Sequence, residues 1–124
     1  MADINKVKVS ETTYDLTDTR IAIGTCSTAA DTATKVVTIT VPENWTLRTG
    51  AMISVKFTNT NTASSPKLNV NNTGAKSIYY NNAVYTSASS YAGYANRYIT
   101  YQYDGTNWVF ISWGYDSNSD TKVT

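Results

Sequence analysis

Alternation with a period of two dominates the middle and end of this chain. Residues 35–41 mix Val, Ile and Thr in a strand-like pattern, and Pro42 ends it by removing a backbone donor. Residues 51–58 alternate cleanly. Ile53, Val55 and Phe57 share one face, with Met52, Ser54, Lys56 and Thr58 on the other. Leu68 and Val70 point inward from a short strand over 67–70, and Asn71-Asn72-Thr73-Gly74 turns the chain. Residues 77–80 and 83–86 flank Asn81-Asn82, a tight hairpin turn because Asn tolerates positive φ. Residues 98–103 and 108–113 are alternating aromatic strands joined by Asp104-Gly105-Thr106-Asn107. With Tyr103 opposite Trp108, Tyr101 and Phe110 become a cross-strand pair worth about 0.2–1 kcal/mol.

The remaining segments punctuate these strands. Residues 1–20 read as an extended leader, in which Val7 and Val9 alternate with Lys6 and Lys8 before Tyr14 and Leu16. Arg20-Ile21-Ala22-Ile23 alternates up to Gly24. Residues 27–34 are Ala-rich and admit a short helical turn, but Thr content and length disfavour a long helix. Residues 59–66 are a polar loop, and residues 87–95 a Ser/Ala/Gly/Tyr loop or irregular edge. Residues 114–124 are polar and read as a linker. Short strands, frequent turns and no strong helix predict an all-β fold: a small antiparallel β-sandwich or partly open barrel over 21–113, preceded by the extended leader 1–20.

Composition agrees. Ser, Thr and Asn supply 45 of 124 residues and Tyr 10 more, whereas charged residues reach only 15%. Apolar residues still make up 41% and fall in organised runs, which sets the chain apart from a disordered one. Net charge is +1 with the basic residues dispersed, so no nucleic-acid face is expected. No run approaches the length of a membrane-spanning helix, so no membrane insertion is expected. The one cysteine, Cys26, reads as a small buried apolar residue.

Histidine is absent, which removes the commonest general base and metal ligand, and a Ser-His-Asp or Cys-His arrangement with it. Asp15, Asp18, Asp31, Glu43, Asp104, Asp116 and Asp120 are scattered, mostly in turns and termini. The expectation is therefore a non-enzyme with no catalytic residues, no metal site and no cofactor. The candidate chemistry lies in the aromatics, which crowd the second half of the chain. Tyr101, Tyr103, Trp108 and Phe110 read as packing. Tyr85, Tyr91, Tyr94 and Trp113, near loops, divide between packing and a contact face for sugar or protein.

A family resemblance adds to this reading. Gly24-Thr25-Cys26-Ser27-Thr28-Ala29-Ala30 followed by Lys35-Val36-Val37-Thr38 resembles the opening of a module found in phage and prophage fibre proteins of gut and Gram-positive bacteria. The stretch from Gly50-Ala51-Met52-Ile53 through Thr62-Ala63, then Leu68-Asn69-Val70-Asn71, Thr73-Gly74-Ala75-Lys76 and Tyr103-Asp104-Gly105-Thr106-Asn107-Trp108-Val109, fits the same module. Residues 5–18, with their Thr13-Tyr14-Asp15-Leu16, resemble the N-terminal start of phage virion proteins, and residues 115–124 a junction to a following fibre segment. The Tyr-rich stretch 87–97 departs from the module. The resemblance implies a structural protein on the virion surface, a head or tail fibre, often homotrimeric. Its leader would dock to other virion proteins through Val7, Val9, Tyr14 and Leu16, and host cell-surface glycans are a further candidate partner. It carries no established site residues. Two alternatives are a carbohydrate-binding receptor module that stacks Tyr and Trp on sugar rings, and a ligand-free capsid decoration protein.

Overall fold

The computed structural model describes residues 21–116. The leader, with Val7, Val9, Tyr14 and Leu16, lies outside the described residues, as do residues 117–124. The described residues form eight strands: β1 (Ile21–Cys26), β2 (Thr34–Ile39), β3 (Met52–Phe57), β4 (Lys67–Val70), β5 (Ala75–Tyr80), β6 (Ala83–Val84), β7 (Arg97–Tyr103) and β8 (Trp108–Asp116). The last strand runs past Gly114, the residue at which the sequence pattern turns polar.

The strands make one sheet in the order β4-β2-β1-β3-β7-β8-β5-β6, and pairing of β4 with β5 bends it into a ring with β6 outside. The all-β architecture matches the alternation. The ring is not a regular barrel, because β5 and β8 meet only at Ile78↔Trp108 and Tyr79↔Val109. The hairpins β5–β6 and β7–β8 are antiparallel, as the pattern predicts, and β1–β2 is antiparallel too. β1–β3, β2–β4 and β5–β8 are parallel instead. The crossover that parallel β1–β3 pairing requires is residues 27–51, which include β2; from Ile39 the chain passes below β1 to begin β3 on its other side.

Alternation sets the interior. Val37 and Ile39 of β2, Ile53, Val55 and Phe57 of β3, Leu68 and Val70 of β4, and Ile99 and Tyr101 of β7 all point inward and are buried. Cys26, Ile78, Tyr85, Ala92 and Trp108 complete this core, the cysteine as the small apolar residue expected of it. Gly24 sits where β1 and β2 approach most closely. A Cβ there would lie 2.3 Å from the Thr38 carbonyl oxygen. The Asn81-Asn82 hairpin has φ of 57° and 66°, the left-handed pair of a type I′ turn.

Tyr103 does oppose Trp108, and Tyr101 opposes Phe110. Between Tyr101↔Phe110 and Thr100↔Ser112 the register slips, leaving Ile111 as the extra residue and half-exposed. This bulge returns Trp113, rather than Ser112, to the side opposite buried Ile99.

Residues 27–33 contain no helix. The Thr32 amide donates to the Ala29 carbonyl in a single turn. Lys35, whose position in β2 shares parity with Val37 and Ile39, is buried and sends its Nζ to the Ala29 and Ala30 carbonyls at 3.1 and 3.2 Å. Those carbonyls are turned toward a side chain rather than along a helix axis.

Strand directions give the ring two ends. β3 and β8 run in the same sense as β1, since β3 is parallel to β1 and β7 is antiparallel to both β3 and β8. Ile21 therefore starts at the lower end and Asp116 lies at the upper end. The upper loops are bound together: Thr62 donates its amide to Ala30, Asn61 to Gly93 and Ser65 to Thr86.

Candidate functional site

The four loop aromatics singled out in the sequence come together at the upper end. Tyr85 follows the β5–β6 hairpin and is fixed by its amide on the Ile78 carbonyl, 2.7 Å. Tyr91 sits in a 3-10 turn, Ser90–Ala92, inside the Tyr-rich loop between β6 and β7. That loop is anchored from below. Ala92 is buried, the Tyr101 hydroxyl donates to the Tyr91 carbonyl at 2.5 Å, and Asn61 Nδ2 donates to the Ser89 carbonyl at 2.8 Å. The Tyr85 and Ser89 hydroxyls are also hydrogen-bonded to each other. Gly93 has φ of 146°, and a Cβ there would stand 2.9 Å from the Asn59 carbonyl oxygen, so only glycine fits.

Tyr91 is the hub of the rings. Its centroid lies 4.3 Å from Tyr80 and 5.3 Å from Trp113, near-parallel to both at 26° and 33°. Phe110 and Tyr85 meet it edge-on at 4.8 and 5.2 Å. Tyr94 joins through the edge of Trp113, and the Arg97 guanidinium lies 4.8 Å from the Tyr94 ring. Offset stacks and T-shaped contacts are the arrangements the ring quadrupole favours. Tyr91 and Trp113 thus give much of their ring surface to neighbours and are half-buried, whereas Tyr80 and Tyr94 are 36% and 41% exposed. Tyr80 and Phe110 were not among the residues singled out as a contact face. Their signals were adjacency to the Asn81-Asn82 turn and the position just before the bulge.

Three of the phenols are shifted toward their neutral form. Burial raises Tyr85, and raises Tyr101 well above the ordinary tyrosine value. Tyr91 is raised chiefly by its hydrogen bond to the Tyr80 hydroxyl, 3.1 Å away. Tyr85, Tyr91 and Tyr101 therefore keep neutral hydroxyls at physiological pH. Asp104 serves its own turn, accepting the Thr106 and Asn107 amides at 2.8 and 2.7 Å, and those bonds lower its pKa. Among the described residues no three His, Cys, Asp or Glu side chains gather in a metal-binding group.

No protein-family model, no curated protein and no solved structure matches the chain.

Proposed function

We propose that this chain is a non-enzymatic structural module of a virion surface, a phage head or tail fibre, which builds the particle and meets the host surface. The observation that carries this reading is the path of the chain. It comes in at the lower end of the ring and leaves at the upper end. Such a path lets modules follow one another along a shaft. The loops at the upper end are cross-bonded and braced by buried Asn61, so they present a stiff surface. Ile23 and Val36, 52% and 58% exposed, offer apolar contact on the outside of β1 and β2, consistent with sister chains in a homotrimer. The virion location in this reading rests on the resemblance of the sequence to phage fibre modules alone.

Mass spectrometry of density-purified particles from a host that carries the reading frame tests this. Peptides of the chain at a stoichiometry comparable to known fibre proteins are expected. Their confinement to the soluble lysate contradicts the reading. Light scattering of the purified protein at micromolar concentration should give three times the chain mass; a monomer contradicts the trimer.

A second role, glycan contact at the upper end, is favoured by the exposed rings of Tyr80 and Tyr94 beside half-buried Trp113. It predicts binding to a host surface polymer on a glycan array, lost in Tyr94→Ser with unchanged melting. No binding to any host polymer removes this role and leaves the structural one.

A further inference from the structure

Tyr80, the last residue of β5, and Tyr91, in the 3-10 turn, are the one stacked tyrosine pair among the described residues. Their ring planes lie 26° apart with centroids at 4.3 Å, and the Tyr91 hydroxyl donates to the Tyr80 hydroxyl at 3.1 Å. The oxygens are closer than the centroids, so the two phenols point the same way and converge toward their hydroxyl ends. The ortho carbons beside the hydroxyls are thereby set face to face. The other tyrosine pairs of the cluster meet edge-on, Tyr80 with Tyr85 at 84° and Tyr85 with Tyr91 at 77°. Tyr94 meets Trp113, and no tyrosine ring among the described residues. Tyr80 is 36% exposed and Tyr91 half-buried, which leaves the pair open to a small oxidant from solvent.

We propose that Tyr80 and Tyr91 are a dityrosine site, at which a peroxide-driven one-electron oxidant joins the two rings by a carbon–carbon bond between their ortho carbons. Each phenol gives up one electron and its hydroxyl proton. The unpaired electron of a phenoxyl radical lies in the π system, with much of its density on the ortho carbons. Coupling therefore needs ring faces turned to each other, which the stacked pair supplies and the edge-on pairs do not. Once the bond forms, the hydrogen on each coupled carbon moves to the phenol oxygen, so the product keeps both hydroxyls and has lost two hydrogens. One hydrogen peroxide takes up the two electrons and two protons and leaves as two waters. Prior positioning of the reacting carbons favours this step over encounters between chains. The two tyrosines are eleven residues apart in sequence, so the bond ties the Tyr-rich loop to β5 and makes the braced upper end covalent.

Treating the purified chain with hydrogen peroxide and a haem-peptide peroxidase, small enough to work at a half-buried ring, tests this. The expected product is a single chain lighter by two hydrogens, with the blue fluorescence of dityrosine, in a yield independent of chain concentration. Tandem mass spectrometry of its tryptic peptide 77–97 should lack backbone fragments cut between Tyr80 and Tyr91. Unfolding in urea before oxidation should lower the yield on the order of tenfold. Tyr91→Phe, which keeps the stack, should abolish the product, whereas Tyr85→Phe and Tyr94→Phe should retain it. A single-chain product at the parent's yield in Tyr91→Phe overturns the proposal. So do crosslinks found only between chains, or a chain that keeps both hydrogens.

Discussion

Replacing Tyr91 by alanine removes the hub of the upper-end cluster. Its ring touches Tyr80, Tyr85, Phe110 and Trp113 at centroid distances of 4.3–5.3 Å. Truncating a fully buried aromatic costs about 3–5 kcal/mol, cavity included. Tyr91 is half-buried, which lowers the share from area. Ring–ring contacts add about 0.5–1.5 kcal/mol per pair beyond area, although four contacts around one ring overlap and do not sum. The expected loss is about 3 kcal/mol, a large fraction of the 5–15 kcal/mol typical of a domain. For a chain of this size that is a drop in Tm of roughly 10 °C. Tyr91→Phe keeps every ring contact and gives up only the bond to the Tyr80 hydroxyl, about 0.5 kcal/mol. Urea unfolding followed by far-UV circular dichroism reads both, with an unchanged m-value as the check on two-state behaviour. A Tyr91→Ala midpoint within about 0.5 kcal/mol of the parent refutes the packing role assigned to the cluster. Equal loss in the Phe and Ala variants refutes the primacy of the ring over the hydroxyl.

Lys35→Met should leave stability at pH 7 unchanged or higher. Burial lowers the lysine's pKa, and both carbonyls it binds retain backbone donors, Thr32 on Ala29 and Thr62 on Ala30. Below the folded-state pKa the cost of the buried charge is complete; as pH rises from there toward 10.5 the unfolded chain holds more protons, so stability increases. Urea midpoints between pH 7 and 9.5 should rise in the parent relative to Lys35→Met, and parallel curves contradict this. Asn71→Ala should cost about 2–3 kcal/mol, because the side chain both accepts from the Ile39 amide and donates to its carbonyl and the residue sits at φ of 47°. Asn71→Gly should recover only the backbone share, about 1 kcal/mol, and full recovery in chemical denaturation contradicts a role for the two bonds. Gly24→Ala should cost about 3 kcal/mol, since its Cβ would meet the Thr38 carbonyl and the Ile39 side chain at 2.3 and 2.6 Å. Unfolding that begins at the parent's denaturant concentration contradicts it.

Much of the ring was legible because its strands are half-buried and obey a period of two. Ile53, Val55 and Phe57 declared their face, and the Asp-Gly loop fixed the Tyr103↔Trp108 register. The parallel pairings were not legible. Parity says which face a strand buries, but not which strand lies beside it, and the neighbours of β1 and β2 are set by crossovers. Lys35 was hidden by its charge, although its parity placed it with Val37 and Ile39. Its burial depends on two loop carbonyls that no local pattern announces. The aromatic contact residues were legible as a crowd near loops, and Tyr85, Tyr91, Tyr94 and Trp113 do come together. Which rings lie inside depended on the bulge at Ile111 and the 3-10 turn at Tyr91, both products of tertiary contacts.

The most direct measurement is a cryo-electron microscopy reconstruction of the particle's appendages. The ring should appear in the shaft with its strands running along the fibre, Ile21 on the particle side and Asp116 on the outward side, separated by the length of the sheet. Particles without density for this chain, or a ring lying across the shaft with both ends on one side, would contradict the role proposed for it.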